Sequence, residues 1–593
     1  MKCTRESVFR CFGDISPEYI LEAAPDAYPA VSPGRTSRST DRKRHTFASF
    51  MRSGWGVAAV CILCGGLAYA LLLSLGNGHF PGISPSGHPT KSETTVPEPV
   101  PEAPTETVQG TETAVTGTPE NPAPAFSGDG WTDHLGSLDL GGATVSILTA
   151  SCSGEESDLC SERSYQYINA ALTERDMIVE KRLNCHIATT CEKISDRAML
   201  SQHVPQIMIL SAQNGLDFEF DIYCAPVQAM ALNTIIYGIG YDLSTISTVD
   251  LSRLYWSSSF NEATAWDNGQ DGHQYTATGS GSINLLRSMA LLVYNQTAMT
   301  EIGADPVDMV RNGTWTIDSM LGLVGNYYSD LNGNNKRDVA DGYGFLTGRL
   351  RSVAHWAPAT RTSAVYHDDE GYLALDRSKA TDAKTLAAKV RALYEATGTY
   401  AADASKDKIQ DTDFSTDIAV QFGSGRACMA SASLFSVENG LYETQVNYGI
   451  LPLPKLNVQD EYATPILKDI AYSYVIPSSL STEAARKAGA VLECMASEGT
   501  RLLLPAYCQD ILSSEAFGNS QALEMLSVLY NGVYVDPGEL YGVGTLDAYL
   551  LNRVLDDSDA YGSIGALLNE AGNLSVERYL TQFNETYKEK MKN

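Results

Sequence analysis

Apolar residues in this chain recur in two rhythms. Short runs at 144–148 (TVSIL), 206–210 (QIMIL), 289–294 (MALLVY) and 472–476 (YSYVI) have the length and residue types of buried strands. Between them the period lengthens to that of a helix. Ile168, Leu172, Val179 and Leu183 fall on one face of YINAALTERDMIVEKRL, and Ala485, Ala488, Leu492 and Met495 do so behind the N-cap candidate Ser481. A third helical stretch places Ile317, Met320, Leu321 and Val324 on one face, so core packing accounts for the Trp315 that precedes it. Strands alternating with helices from Trp131 onward predict an α/β architecture.

One run follows neither rhythm. Residues 54–75 (GWGVAAVCILCGGLAYALLLSL) carry no charge, and as a helix they reach roughly 33 Å, enough to cross a hydrocarbon core of about 30 Å. A cleaved secretory signal has a shorter apolar run near the amino end, whereas 53 residues precede this one. Nor do Cys61 and Cys64 fit a lipoprotein signal, because most of the apolar run follows them. We read an uncleaved signal-anchor helix. Arg35, Arg38, Arg42, Lys43, Arg44 and Arg52 crowd its amino flank, while no basic residue follows until Lys91, which keeps the amino end cytoplasmic and the large domain extracellular.

This divides the chain into a mostly disordered cytoplasmic tail (1–53), the transmembrane helix (54–75), a Pro/Thr/Glu-rich linker (76–130) with little to bury, and a domain at 131–593. Charge follows the same division. The first 53 residues hold 9 Lys+Arg and 6 Asp+Glu out of 42 and 71 in the whole chain, leaving a net −32 beyond them. Such a surface repels phosphate backbones, which excludes nucleic acid as a partner of the large domain. Eight Cys lie beyond the span: Cys152, Cys160, Cys185, Cys191, Cys224, Cys428, Cys494 and Cys508. The short loops 152–160 and 185–191 are the candidate disulfides, with buried thiols the alternative.

Several segments of the external region, in order, resemble the extracellular solute-binding proteins of ABC importers, family 1-like and sugar-oriented, of the kind found in Gram-positive and Clostridia-type bacteria. They are LDLGGATVSIL, NAALTERDMIVEKRLN, LLVYNQTAM, VRNGTWTIDSM, DLNGNNKRDVADGYGF, GSGRACM, YGILPLPK and YVIPSSLSTEAARKAGAVLECMASEG. The resemblance implies a two-lobed periplasmic-binding-protein-like fold (type II) with crossing hinge strands, here preceded by one transmembrane helix. By analogy lobe 1 takes about 138–292 and 452–500, and lobe 2 about 293–451 and 501–593. Relatives carry a lipid anchor or a cleaved signal in place of the spanning helix, and an aromatic residue near Cys508.

Asp330, Asn332, Asn334, Lys336, Asp338 and Asp341 occupy positions 1, 3, 5, 7, 9 and 12 of the loop DLNGNNKRDVAD. This is EF-hand-type calcium spacing, in which alternate oxygens converge on one cation and position 7 offers only its carbonyl. Asn335 stands where glycine is expected and Asp341 is shorter than the usual Glu, which predicts a structural Ca²⁺ site of modest affinity.

Ligands of open α/β sheets lie beyond the carboxyl ends of strands, which directs attention to Thr149, Ser151, Ser211, Gln213 and Asn214 after TVSIL and QIMIL. Sugar rings pack on aromatic faces. By the resemblance Tyr255, Trp256, Trp356 and Phe435 are such platforms, and Tyr472 sits at the lobe boundary. No HExxH, GxSxG or Walker motif occurs, and no catalytic residue is assigned. The resemblance implies a membrane-anchored binder that captures a carbohydrate, an oligosaccharide by expectation, for an ABC permease by lobe closure. A single-span sensor signalling to the tail is the alternative, and a glycan-degrading enzyme a third.

Overall fold

A computed structural model describes residues 129–591, apart from 153–158, 160–165, 196, 267–271, 350–351, 403–406, 408–415, 442–443, 512–519 and 543–575. The tail, the span, the linker up to residue 128, and the thiols of Cys152, Cys160 and Cys508, therefore lie outside the described residues. Among the described residues no helix is long and apolar enough to cross a membrane.

Two mixed sheets organise the fold. The first joins β1 (Ala143–Cys152), β2 (Cys185–Ile194), β3 (Ile222–Pro226) and β13 (Tyr472–Val475) in the order β13-β3-β1-β2. The second joins β4 (Ala290–Asn295), β5 (Tyr328–Ser329), β6 (Gly342–Gly348), β9 (Thr399–Ala402), β10 (Ala427–Ser433) and β11 (Tyr448–Leu451) in the order β11-β4-β10-β6-β5, with β9 also on β6. Two small ladders, β7 (Val365–His367) with β8 (Leu373–Leu375) and β12 (Thr464–Pro465) with β14 (Val533–Tyr534), lie apart from both. The helices that matter below are α1 (Gln166–Leu183), α2 (Arg197–Gln213), α3 (Val227–Tyr237), α4 (Ile317–Val324), α5 (Leu434–Gly440), α6 (Thr482–Ile511), α7 (Pro537–Leu540) and α8 (Val576–Met591).

β1 and β2 run parallel over ten residue pairs, from Ala143 with Cys185 to Cys152 with Ile194, and β1 is also parallel to β3. Alternation along β1 feeds two faces. Val145 and Ile147 pack with Val179 and Leu183 of α1 and Ala485, Ala488, Leu492 and Met495 of α6. Leu148 and Ala150 turn to the other face, against Leu200, Val204 and Met208 of α2. The predicted helical faces are therefore buried, and Ser481 caps α6 by accepting from the Ala484 amide at 3.2 Å. In α4 a reciprocal cap between Thr316 and Ser319 starts the helix. The Trp315 indole is fully buried and donates to the Pro452 carbonyl at 3.0 Å, a packing role as expected.

The predicted strand at 206–210 is instead part of α2. A five-residue apolar run does not distinguish strand from buried helix, and here Leu200, Val204 and Met208 recur at helical spacing against the sheet despite Pro205. The third strand is β3, whose five residues IYCAP are all buried. The proposed bridge between Cys185 and Cys191 does not form. Both lie on β2, and six residues of strand separate them by about 20 Å, far beyond the roughly 7 Å limit between bridged Cα atoms.

The chain passes between the sheets along 277–290 and 466–472, and again through α6. This helix of 30 residues contributes Leu492 and Met495 to the first core and Leu503, Leu504 and Tyr507 to the second. Gly499 lies between the two sets. A Cβ there would stand 2.0 Å from the Ser280 carbonyl oxygen, so only glycine lets helix and crossing segment touch.

Candidate functional site

The strand registers bring the two sheets together end to end. β13 is antiparallel to β3 and pairs Tyr472 with Pro226, the last residue of β3. In the second sheet Ser433, the last residue of β10, faces Ala290, and the adjacent Met289 bridges to Ile466. The segment 466–472 therefore leads directly from the carboxyl end of the parallel strands of the second sheet to that of the first. This is the place where an open α/β sheet receives a ligand.

A chamber of about 20 Å³ opens there, room for one water-sized group. Val227, the residue after β3, forms one wall, and His355 and Pro358, beyond the end of β6, form another. Pro465, Ile466 and Lys468 of the crossing segment and Tyr534, Val535, Asp536, Glu539 and Leu540 close it. Asp536 caps α7, accepting the Gly538 and Glu539 amides on Oδ1 at 2.7 and 3.3 Å. The cap accounts for one oxygen only. The rest of the carboxyl is buried beside the Ser363 hydroxyl, its one further hydrogen-bonding neighbour. Burial pushes the Asp536 carboxyl up to about 6, against the lowering influence of Ser363, with the Glu539 charge adding to the rise. Lys468 is held by Glu539 at 3.1 Å.

Of the residues expected to bind ligand, Tyr472 and Phe435 come to this end of the sheets. Tyr472 donates from its hydroxyl to the Ala150 carbonyl at 3.0 Å. Phe435 lies in the first turn of α5 directly beyond β10 and is half-buried. Trp356 adjoins His355, but its ring is buried and its indole nitrogen donates to the Tyr394 hydroxyl at 3.3 Å, so it backs the wall from behind. Ser151, near the end of β1, accepts from Lys193 Nζ at 3.1 Å, and Thr149 is buried within the strand.

Tyr255 and Trp256 belong to the first core instead. Their polar atoms donate to Glu493 of α6 at 2.5 and 2.9 Å, and both rings are buried, so neither offers a face to a ligand. Gln213 and Asn214 are displaced for a different reason. Because 206–210 is helical, these residues end α2 and precede β3, at the amino end of the strands and away from the chamber. Asn214 Nδ2 is engaged by the Leu210 carbonyl at 2.7 Å, and Ser211 Oγ by that of Ile207 at 3.0 Å. The chamber residues themselves carry no periodic signal, and Asp536-Pro-Gly reads as a turn.

The loop 330–341 is coiled on itself. Asp330 accepts from the Gly333 and Asn335 amides at 2.7 and 2.9 Å, Asn332 and Asn334 donate to Asp338 at 3.1 and 2.7 Å, and Asn334 Oδ1 receives the Lys336 amide at 2.6 Å. The Asn334 bond holds the Asp338 carboxyl below its usual pKa. Asn335 has φ of 55°, the left-handed turn that glycine normally makes at position 6 and that Asn tolerates. Asp341 is fully buried. Its Oδ2 accepts from the Tyr328 hydroxyl at 3.1 Å and the Asp338 amide at 3.2 Å, while Oδ1 has no partner. Among the described residues no three His, Cys, Asp or Glu groups are gathered as a metal cluster. The other oxygens of such a loop are amide and main-chain groups, and the orphaned Asp341 oxygen fits a hard cation.

No protein-family profile and no curated protein sequence matches the chain. Among solved structures, the maltose/maltodextrin-binding domain MalE from Bdellovibrio bacteriovorus bound to maltotriose is 14% identical, covering 73% of this chain and 100% of that one with a TM-score of 0.45. A family 1 extracellular solute-binding protein from Bifidobacterium longum subsp. infantis is 13% identical over 72% and 100%, TM-score 0.44. The galacto-N-biose/lacto-N-biose I-binding protein of a Bifidobacterium longum ABC transporter, in complex with lacto-N-biose, is 11% identical over 75% and 98%, TM-score 0.46. At such identities and TM-scores the likeness is one of general architecture, and no residue of this chain takes a role from it.

Proposed function

We propose that this chain is a membrane-anchored, extracellular binding protein that captures a carbohydrate between two sheet-centred lobes and presents it to an ABC permease without chemical turnover. The observation that carries the reading is the convergence of both sheets' carboxyl ends on one small chamber beside the segment that joins them. Lobes joined by such passes close about a ligand by hinge motion. The spanning helix 54–75 retains the domain at the cell surface, and the linker 76–130 lets it range above the membrane.

Ca²⁺ belongs to this reading as a structural ion of the loop 330–341. Asp330, Asn332, Asn334, Asp338 and Asp341 would hold it by side chain and Lys336 by carbonyl. The ion supplies charge that pins the loop and takes no part in capture.

A thermal-shift screen of the full chain against oligosaccharides tests the assignment. Stabilisation by a sugar is expected, and no shift with any sugar sinks it. Sequencing the native protein tests the anchor separately, since a mature amino end near Asn77 removes it.

A further inference from the structure

The C-terminal helix α8 lies across both halves of the domain. Tyr579, Leu580, Phe583 and Tyr587 are buried, and their spacing puts them on one helical face. That face packs along α3, sharing a core with Val227, Ala231, Leu232 and Ile235, while Met230 of α3 turns back into a core of the first sheet. The Tyr587 ring also stacks on the fully buried Trp266, their centroids 4.5 Å and planes 27° apart, with the Phe583 ring 5.6 Å from the same indole. Trp266 is held by the first half. It exchanges main-chain hydrogen bonds with His273 at 2.9 and 3.1 Å, His273 Nδ1 lies 2.7 Å from Asp242 Oδ2, and the Tyr241 amide donates at 2.7 Å to Ile476, just past β13.

The contacts of α8 with the second half are of another kind. Asn584 accepts the Leu373 amide at 3.1 Å and donates to the Leu373 carbonyl at 2.9 Å, as a neighbouring strand would on β8. Lys588 Nζ stands 4.1 Å from the Tyr372 ring centroid, Glu577 pairs with Arg377, and the Tyr579 hydroxyl donates to the Tyr541 carbonyl at 2.9 Å. Directional bonds fix the helix there, whereas an apolar stack parts without leaving a buried polar group unpaired. The bonds that cross beside the stack are single ones: Trp266 Nε1 to the Tyr541 hydroxyl at 3.1 Å, the Val535 amide to Ser259 Oγ at 2.9 Å, and His367 Nε2 with the Ala263 carbonyl at 2.9 Å.

Given lobes that turn about the crossing segments, the reading proposed above, we infer that α8 is an interlobe strap. It is fixed to the second lobe, rests on α3 and Trp266 of the first, and holds the two in this arrangement. Ligand pockets run to roughly 300–1,000 Å³, so the chamber of about 20 Å³ at the junction admits no sugar ring while the strap is down. Opening the lobes parts the Tyr587–Trp266 stack, and α8 stays on β8.

Hydroxyl-radical footprinting of the full chain in detergent reads the exposure of single rings and needs no sugar, so a failure to find a ligand leaves its outcome intact. Tyr587→Leu keeps an apolar side chain on α8 and removes the stack, while Asn584→Ala removes the tie to β8. In Y587L, oxidation of Trp266 should rise about threefold to tenfold, the worth of one aromatic stack, with Trp315 and Trp356 of the second lobe and Tyr255 of the first unchanged. In N584A the gain should fall on Tyr372, with Trp266 the less affected. An unchanged Trp266 in Y587L means that α8 does not hold the lobes. A joint rise of Trp266, Trp315 and Trp356 means that α8 is an ordinary part of one core, and an N584A that exposes Trp266 more than Tyr372 reverses which lobe keeps the helix. Each of these three results overturns the inference and leaves carbohydrate capture standing.

Discussion

Glu493 in the first core and Asp536 at the junction are both buried carboxylates, and burial raises the pKa of each. They differ in their oxygens. Glu493 Oε1 accepts from the Tyr255 hydroxyl and lies 3.2 Å from His134 Nδ1, while Oε2 accepts from the Trp256 indole and the Asp250 amide. Both oxygens of Glu493 are engaged by partners from other elements, whereas Asp536 spends Oδ1 on the amides of its own helix cap and otherwise has only the Ser363 hydroxyl beside it. A carboxylate with both oxygens engaged organises a core, and one with an oxygen left over has room for a further partner. Asp341 of the loop 330–341 falls in the second class.

The largest break in this comparison should come from Glu493→Ala. It leaves a hydroxyl, an indole nitrogen and an amide without their acceptor, and the loss in stability by urea denaturation is expected at about 3–5 kcal/mol.

Asp536→Asn should act in the opposite direction. A carboxyl raised to about 6 in the folded chain, against about 3.9 unfolded, stabilises the fold relatively below pH 4, and that advantage is lost as pH rises to 6. The unaltered protein should therefore lose about 2–3 kcal/mol across that window relative to the variant, which at pH 7 should be the more stable of the two. A variant less stable at pH 7 would place Asp536 with Glu493.

Asp341 sharpens the contrast with a smaller effect. At calcium about tenfold above a dissociation constant of roughly 0.1–1 mM, the ion should stabilise the full chain by about 1.4 kcal/mol over an EDTA-treated sample, and Asp341→Asn should erase most of this difference. The smallest change belongs to Phe435→Ala. Half-buried at the end of β10, the ring should cost under about 1 kcal/mol in stability, yet it should weaken sugar binding if it serves as a platform.

Much of this was legible in the residues. The runs at 144–148, 289–294 and 472–476 are strands, and the faces of α1, α4 and α6 are buried as their periods predict, save that Leu321 of α4 is only half-buried. At 206–210 the run was too short to show its period, and IYCAP, with its Cys, Ala and Pro, does not look like a central strand. That one misreading moved Gln213 and Asn214 to the wrong end of the sheet. Tyr255 and Trp256 failed differently. An aromatic pair has the same chemistry in a core and in a cleft, and what decides between them is Glu493, distant in sequence. The chamber was invisible because Val227, His355, Lys468 and Asp536 meet only through the crossings.

The passage of α6 through both cores bears on how the domain comes apart. With Leu492 and Met495 holding the first sheet and Leu503 and Tyr507 the second, neither half can melt without unravelling a helix that the other still needs. The two sheets should form a single cooperative unit, seen in calorimetry as one transition whose calorimetric and van't Hoff enthalpies agree.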